Sequence, residues 1–163
     1  MSSPVMRKSF AIFMIALAGC ASQPAKDPPV LSAVSTESVV AFLTRFEELA
    51  EREDFALIRN MIDEHAIFRF NDGDYVGRSA IQAAFEKTWR GDPSIKKARF
   101  YLTDIVVLTA DQNTATVTYN FHWEGAQGDR AFAIKGRGTR VLRFEAGQYR
   151  IVHEHLSRFP QPL

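Results

Sequence analysis

The sequence predicts an α+β domain in which three N-terminal helices pack in the concave face of a strongly curved, mixed but mostly antiparallel sheet. Three observations carry this expectation. Apolar residues recur at helical spacing in three stretches between Ser35 and Trp89, then switch to alternation for the rest of the chain. Turn residues (Gly91-Asp92-Pro93, Asp111-Gln112-Asn113, Gly125 to Asp129 and Ala146-Gly147) cut the alternating part into four long segments. Helices followed by a strand meander describe two layers, with the helices gathered on one face of the sheet.

The domain does not start at residue 1. Arg7 and Lys8 precede an apolar run from Phe10 to Leu17, which closes in Leu17-Ala18-Gly19-Cys20 and holds the single cysteine of the chain. A basic start, a short apolar stretch and small residues before a cut site describe a secretory signal peptide, too short to span a bilayer as a mature helix. A lone thiol in an exported chain has no disulfide partner. These four residues resemble the lipobox of bacterial lipoproteins. That resemblance implies removal of residues 1–19 and a diacylglyceryl group on Cys20 as the new N-terminus. Two buried acyl chains, at about 0.8 kcal/mol per methylene, hold such a chain to a membrane with on the order of 20 kcal/mol. Ala21 stands where an aspartate would resemble an inner-membrane retention signal, which favours the outer membrane. Residues 20–34, with Pro24, Pro28 and Pro29, read as the lipidated cysteine and a flexible tether. The tether reaches roughly 20 Å as a coil and about 40 Å when extended. Residues 35–159 are then one domain, and 160–163 a short tail.

Composition narrows the partners. The chain has 20 Lys and Arg against 19 Asp and Glu. Losing Arg7 and Lys8 with the signal peptide removes any basic excess, so no electrostatic footprint for nucleic acid remains. No later apolar run approaches the roughly 20 residues that cross a bilayer.

From Ser35 to Arg52, Val39, Phe42, Leu43, Phe46, Leu49 and Ala50 fall on one helical face, with Glu37, Arg45, Glu48 and Glu51 elsewhere. Asp54 is placed to cap a second, shorter helix carrying Phe55, Leu57, Ile58, Met61 and Ile62. Ala66 to Phe70 reads as a strand and Asn71-Asp72-Gly73-Asp74 as a turn. Ser79 with Gln82 forms a capping-box pattern ahead of Ile81, Ala84, Phe85, Thr88 and Trp89, giving a third helix that Gly91-Asp92-Pro93 stops.

The four strands are expected at about 98–109, 114–124, 131–144 and 148–157. In the third, Phe132, Ile134, Gly136, Gly138, Arg140, Leu142 and Phe144 share one face, the buried one. Gly136 and Gly138 lack side chains there, which lets a sheet bend or leaves space above it. A hairpin at Ala146-Gly147 sets Phe144 opposite Tyr149, Leu142 opposite Ile151 and Arg140 opposite His153, with His155 and Ser157 continuing on the inner face. The preceding strand contributes Ala115, Val117, Tyr119, Phe121 and Trp123. The expected interior is aromatic, with Arg140, His153 and His155 as a polar group at one end.

The element order, the Asp72-Gly73 turn leading to Gly77-Arg78-Ser79-Ala80-Ile81, and the closing runs 138–142 and 147–157 resemble the nuclear transport factor 2-like superfamily in its SnoaL-like branch. The resemblance covers residues 36–159 and implies a cone-shaped, cystatin-like roll. It says little about chemistry, because fold does not decide function. It does disfavour ketosteroid isomerase chemistry. Laid over that member's pattern, the chain has Phe46 and Phe70 where a hydroxyl donor and a carboxylate base are needed, and a phenyl ring supplies neither. The resemblance also implies a homodimer formed through the sheet.

Two readings of the polar group stand side by side. A buried guanidinium matches a carboxylate, so Arg140 could anchor the acidic end of an otherwise apolar ligand, with His153 and His155 at the mouth and Phe46, Phe70, Trp89 and Tyr119 as walls. Alternatively Arg140 pairs with an internal acid such as Asp104 and the histidines hold strand register. Two alternating histidines without a placed carboxylate or thiolate are a weak zinc signal, so no metal or other cofactor is expected. The outward face carries Val141, Val152 and Leu156 among Arg143, Arg150 and Glu154, a packing surface for a second subunit.

These observations lead to a membrane-anchored, periplasm-facing envelope lipoprotein that binds a small hydrophobic or amphipathic ligand without turning it over. Its rivals are a hydrolase or lyase using His153 with Arg140, and a non-catalytic dimeric interaction module. Cys20→Ala is expected to abolish acyl labelling and move the protein out of the membrane fraction of bacterial cells. A variant still labelled and still membrane-bound would end the anchoring expectation.

Overall fold

The computed structural model describes residues 34–160. The signal segment, Cys20 and nearly all of the tether lie outside the described residues. Helix α1, Thr36–Ala50, starts where Ser35 and Ser38 cap each other: the Ser38 N–H donates to Ser35 Oγ at 3.2 Å and the Ser35 N–H to Ser38 Oγ at 3.0 Å. Two otherwise orphaned helix-end donors are thereby satisfied. Its apolar face buries Val39, Leu43, Phe46 and Leu49.

Helix α2 is capped by Asp54, which accepts the Ala56 N–H at 3.0 Å, but it covers only Phe55–Ile58 and gives way to a 3-10 turn, Arg59–Met61. Ile62, expected in the helix, opens strand β1, Ile62–Phe70, because its backbone pairs with Ile151 across the sheet and its side chain is fully buried there. Tertiary pairing overrides local helical spacing. The turn at residues 71–74 includes part of a short strand β2, Gly73–Val76, paired to β1.

Helix α3, Arg78–Arg90, begins differently from the sequence expectation. Its cap is Gly77, at φ 83, with no side-chain bond; Gln82 instead donates to Glu86 at 2.8 Å. The positive φ turns the chain sharply from strand to helix, a conformation glycine adopts without strain. Strands β3 (Ile95–Ala110), β4 (Thr114–Gln127), β5 (Arg130–Glu145) and β6 (Gln148–Arg158) complete a six-stranded sheet in the order β2-β1-β6-β5-β4-β3. β1 and β6 run parallel and the other pairs antiparallel. The expected mixed, mostly antiparallel α+β architecture is the one observed. The buried core among the described residues runs from Val39 to Ile151.

The β5–β6 register holds only in part. Phe144 faces Tyr149 and Leu142 faces Ile151, as expected, but Val141 then faces His153 and Arg140 faces Glu154. Val152 is the extra residue of a β-bulge, and one extra residue exchanges the two faces of everything beyond it. Glu154 therefore turns inward, whereas His153 and His155 share the outer face with Ile67 and Arg69, their neighbours on β1.

The two glycines of β5 are not open space. Gly136 lies opposite Phe121 and Gly138 opposite Tyr119, and the aromatic rings lie over them. A methyl group on Gly136 would collide with the Ser157 carbonyl oxygen and the Phe121 ring. Gly136→Ala is expected to cost about 1–3 kcal/mol in urea unfolding, whereas Gly73→Ala, with no atom nearer than 3.8 Å to the added carbon, should be close to neutral. Equal stabilities for the two variants would contradict this packing.

Candidate functional site

Between the helices and the sheet lies a cavity of about 490 Å³. Phe46 of α1, Phe70 at the end of β1, and Phe85 and Trp89 of α3 form one wall. Phe85 joins this set, its ring centre 5.1 Å from Trp89, 6.4 Å from Phe70 and 6.5 Å from Phe46. Phe100, Phe121, Trp123, Ile134 and Leu156 from the sheet form the other. The helical wall follows from i, i+4 spacing of Phe85 and Trp89, and the sheet wall from alternation along four strands.

The floor is polar and closed. Arg140 and Glu154 are each only 1% exposed. Arg140 Nε donates to Glu154 Oε1 at 2.9 Å, Nη2 approaches the same oxygen at 2.9 Å, and the Tyr119 hydroxyl donates to it at 2.5 Å. The guanidinium carbon sits 4.6 Å from the Phe46 ring centre and 5.2 Å from that of Tyr119, the range in which an aromatic face attracts a cation. Burial alone disfavours charge on Arg140, but Glu154 above all outweighs it, and the pKa of the guanidinium is raised. Burial lifts the Tyr119 phenol well above its ordinary value, with Glu154 adding to the effect against the pull of Arg140, so Tyr119 is a neutral donor. Glu47 of α1 is lifted by burial too, while the Leu102 N–H, donated at 3.1 Å, and the charge of Arg140 pull it back.

Of the residues expected at the site, Phe46, Phe70, Trp89 and Arg140 line the cavity, and Tyr119 lies just behind the floor as a donor to Glu154. His153 and His155 do not: the Val152 bulge turns both away, correcting their placement at the mouth. Asp104 is not the partner of Arg140 either. It stands exposed at a bulge of β3, at φ 52, held by Asn120 Nδ2 at 2.7 Å. Leu156 and Glu154, read as outward, are cavity residues. Glu154 is the functional candidate that the sequence reading missed. The available signal was Leu156, an apolar residue falling out of phase after Tyr149 and Ile151.

Residues 39–162 match the family of SnoaL-like domains. The chain belongs to that family. Among solved structures, this SnoaL-like domain is similar to a nuclear transport factor 2-like superfamily protein from Salmonella enterica serovar Typhimurium, at 19% identity and a TM-score of 0.66 over 77% of this chain and 91% of that one. It is similar also to a proposed dehydratase of the NTF2-like family from Streptomyces avermitilis (20% identity, TM-score 0.65, 77% and 96% covered). An NTF2-like protein with a cystatin-like fold from Novosphingobium aromaticivorans compares at 16% identity and a TM-score of 0.64, with 77% and 82% covered. At such identities the likeness concerns the fold. No curated protein matches the chain.

Within this SnoaL-like domain the floor can be tested as a unit. Removing one member of a buried ion pair strands the other charge, at about 3–5 kcal/mol, whereas replacing both by apolar groups is far less costly. Arg140→Met is therefore expected to destabilise strongly in urea unfolding, and the double variant Arg140→Met, Glu154→Leu to recover most of the loss. A single variant costing under about 1 kcal/mol would show that the pair is not coupled in this way.

Proposed function

We propose that this domain binds a small hydrophobic molecule in the aromatic cavity, and that it does so at the bacterial cell envelope, held to the outer membrane through lipidated Cys20. The observation that carries the proposal is an open cavity of about 490 Å³, within the size of small-molecule sites, above a floor whose charges satisfy one another. Phe46, Phe70 and Trp89 stand along its walls and leave the interior open, which favours a guest over the reading as a pure interaction module. Arg140 already gives two nitrogens to Glu154, so anchoring of a guest carboxylate is not part of the proposal. The location rests on the lipobox resemblance at Leu17 to Cys20 and on the Ala-, Ser- and Pro-rich residues that follow it.

Turnover is the second reading, and one observation favours it in altered form. A hydrolase or lyase built on His153 has no geometry here, because that imidazole faces away from the cavity. At the floor of the cavity, the group that can exchange protons with a guest is Glu154. A homodimer through the outer sheet face is proposed as well. Ile67 and Val76, paired neighbours on β1 and β2, are 38% and 67% exposed on it, an apolar pair suited to a second copy.

Native mass spectrometry of residues 21–163, after exposure to envelope lipid extracts, checks these together. The expected result is a mass of two chains with a small organic guest retained. Leu156→Trp, which fills the cavity, should lose the guest while remaining folded. An empty wild-type protein across several extracts would overturn the binding proposal, and chemical change of a retained guest over time would move the reading to turnover.

A further inference from the structure

The cavity floor offers an acceptor, and this determines the kind of guest it takes; the inference rests on the binding reading above. The hydrogen bonds of the floor, from Arg140 Nε and the Tyr119 hydroxyl, converge on the single oxygen Glu154 Oε1, and Arg140 Nη2 lies against the same oxygen at 2.9 Å. Among the described residues none donates to Oε2. The fully enclosed polar side-chain atoms without a partner among the described residues are His122 Nδ1, Arg140 Nη1 and Arg150 Nε, and Glu154 Oε2 is not one of them. Both side chains line the cavity: the guanidinium is held against the carboxylate through Nε and Nη2 with Nη1 enclosed, while the carboxylate keeps Oε2 without a donor. An ionised carboxylate only accepts hydrogen bonds.

A guest acid would bring a second carboxylate against Glu154 in a desolvated site, where like charges repel strongly. A guest ammonium would bring a second cation to a floor that already holds Arg140. The rim adds an independent discrimination against anions: Glu51, Glu53, Asp72 and Asp92 line the cavity against Lys87 and Arg158. Two of these acids are already partly offset, Glu51 by Arg99 at 3.5 Å and Asp72 by Lys87 at 3.7 Å, so the rim is mildly rather than intensely negative.

The geometry points to an uncharged, ring-bearing guest that donates a hydrogen bond, an aromatic or alicyclic alcohol, inserted with its hydroxyl toward Glu154 Oε2 and its rings between the two aromatic walls. This inverts the acid recognition by Arg140 that the sequence suggests. A matched series on one ring system tests it on residues 21–163 by ligand-observed NMR titration: 2-naphthalenemethanol, 2-naphthoate and 2-methylnaphthalene. The alcohol should bind about fivefold more tightly than the hydrocarbon, the yield of one net hydrogen bond, and at least about tenfold more tightly than the acid. Glu154→Gln, which keeps the shape and removes the charge, should narrow the alcohol-to-acid ratio to roughly threefold or less; the wild-type series stands even if that variant does not fold. An acid that equals or exceeds the alcohol overturns the inference and leaves the binding reading in place, as does a hydrocarbon that matches the alcohol. Silence from all three compounds overturns both.

Discussion

A charge pair taken out of water governs this structure. Arg140 and Glu154 are both almost wholly buried, and isolating either in an apolar interior would cost several kcal/mol. The fold meets that cost by concentrating two hydrogen bonds and a second guanidinium nitrogen on one carboxylate oxygen and laying two aromatic rings against the guanidinium. These contacts bind α1 through Phe46, β4 through Tyr119, β5 through Arg140 and β6 through Glu154. One helix and three consecutive strands are fixed to one point, and the position of that point depends on a single backbone irregularity. Without the extra residue at Val152, Glu154 would face outward and Arg140 would be buried opposite an imidazole.

The same region explains why the interior is hollow on one side and solid on the other. Gly136 and Gly138 bring Phe121 and Tyr119 down onto the sheet. Tyr119 is then low enough for its hydroxyl to reach Glu154, and Phe121 low enough to stack at 6.1 Å on Phe100 as part of the far wall. Beyond that, Phe85 and Trp89 of α3 stand in the opposite wall, and the space between them and the sheet is left partly unfilled. Cavity and floor are consequences of one arrangement of small and large residues across neighbouring strands.

The sequence made the architecture legible because its strongest signals, period and punctuation, are local. Helix α1 with Ser35 at its start, the Asp54 cap, the hairpin at Ala146-Gly147 and four alternating strands all follow from spacing. The errors share a cause. Ile62 joined β1 through a pairing with Ile151, far away along the chain, and no local pattern reports that. Gly77 displaced the Ser79 capping pattern because β2, a short strand hidden in a turn-rich stretch, delivers the chain at a positive φ. Strict alternation carried through Val152 put His153 and His155 inside and Glu154 outside; a one-residue bulge is invisible to periodicity except through the shifted phase of the residues beyond it. Phe46, Trp89 and Arg140 are recoverable since each lies on an element whose phase is unbroken up to that residue, and Phe70 because the irregularity of β1 falls before Ile67, ahead of the alternation that carries it.

Neither the hollow nor the buried pair is something folding requires. Apolar residues of similar volume in place of a buried ion pair are often neutral or stabilising, and unfilled volume next to aromatic rings forfeits dispersion contacts that a solid core would have. Arg140 Nη1 is enclosed without a partner, a further expense of the kind native structures keep rare. A domain that holds an orphaned donor, a desolvated carboxylate and an open aromatic space within one small volume is less stable than the same fold with a packed centre. The open space and the desolvated carboxylate, though not the enclosed Nη1, are offset when the space is occupied by a molecule whose rings restore the missing contacts and whose polar atom meets the carboxylate oxygen left free. The binding reading thus accounts for this part of the energetic cost of the site as well as for its shape.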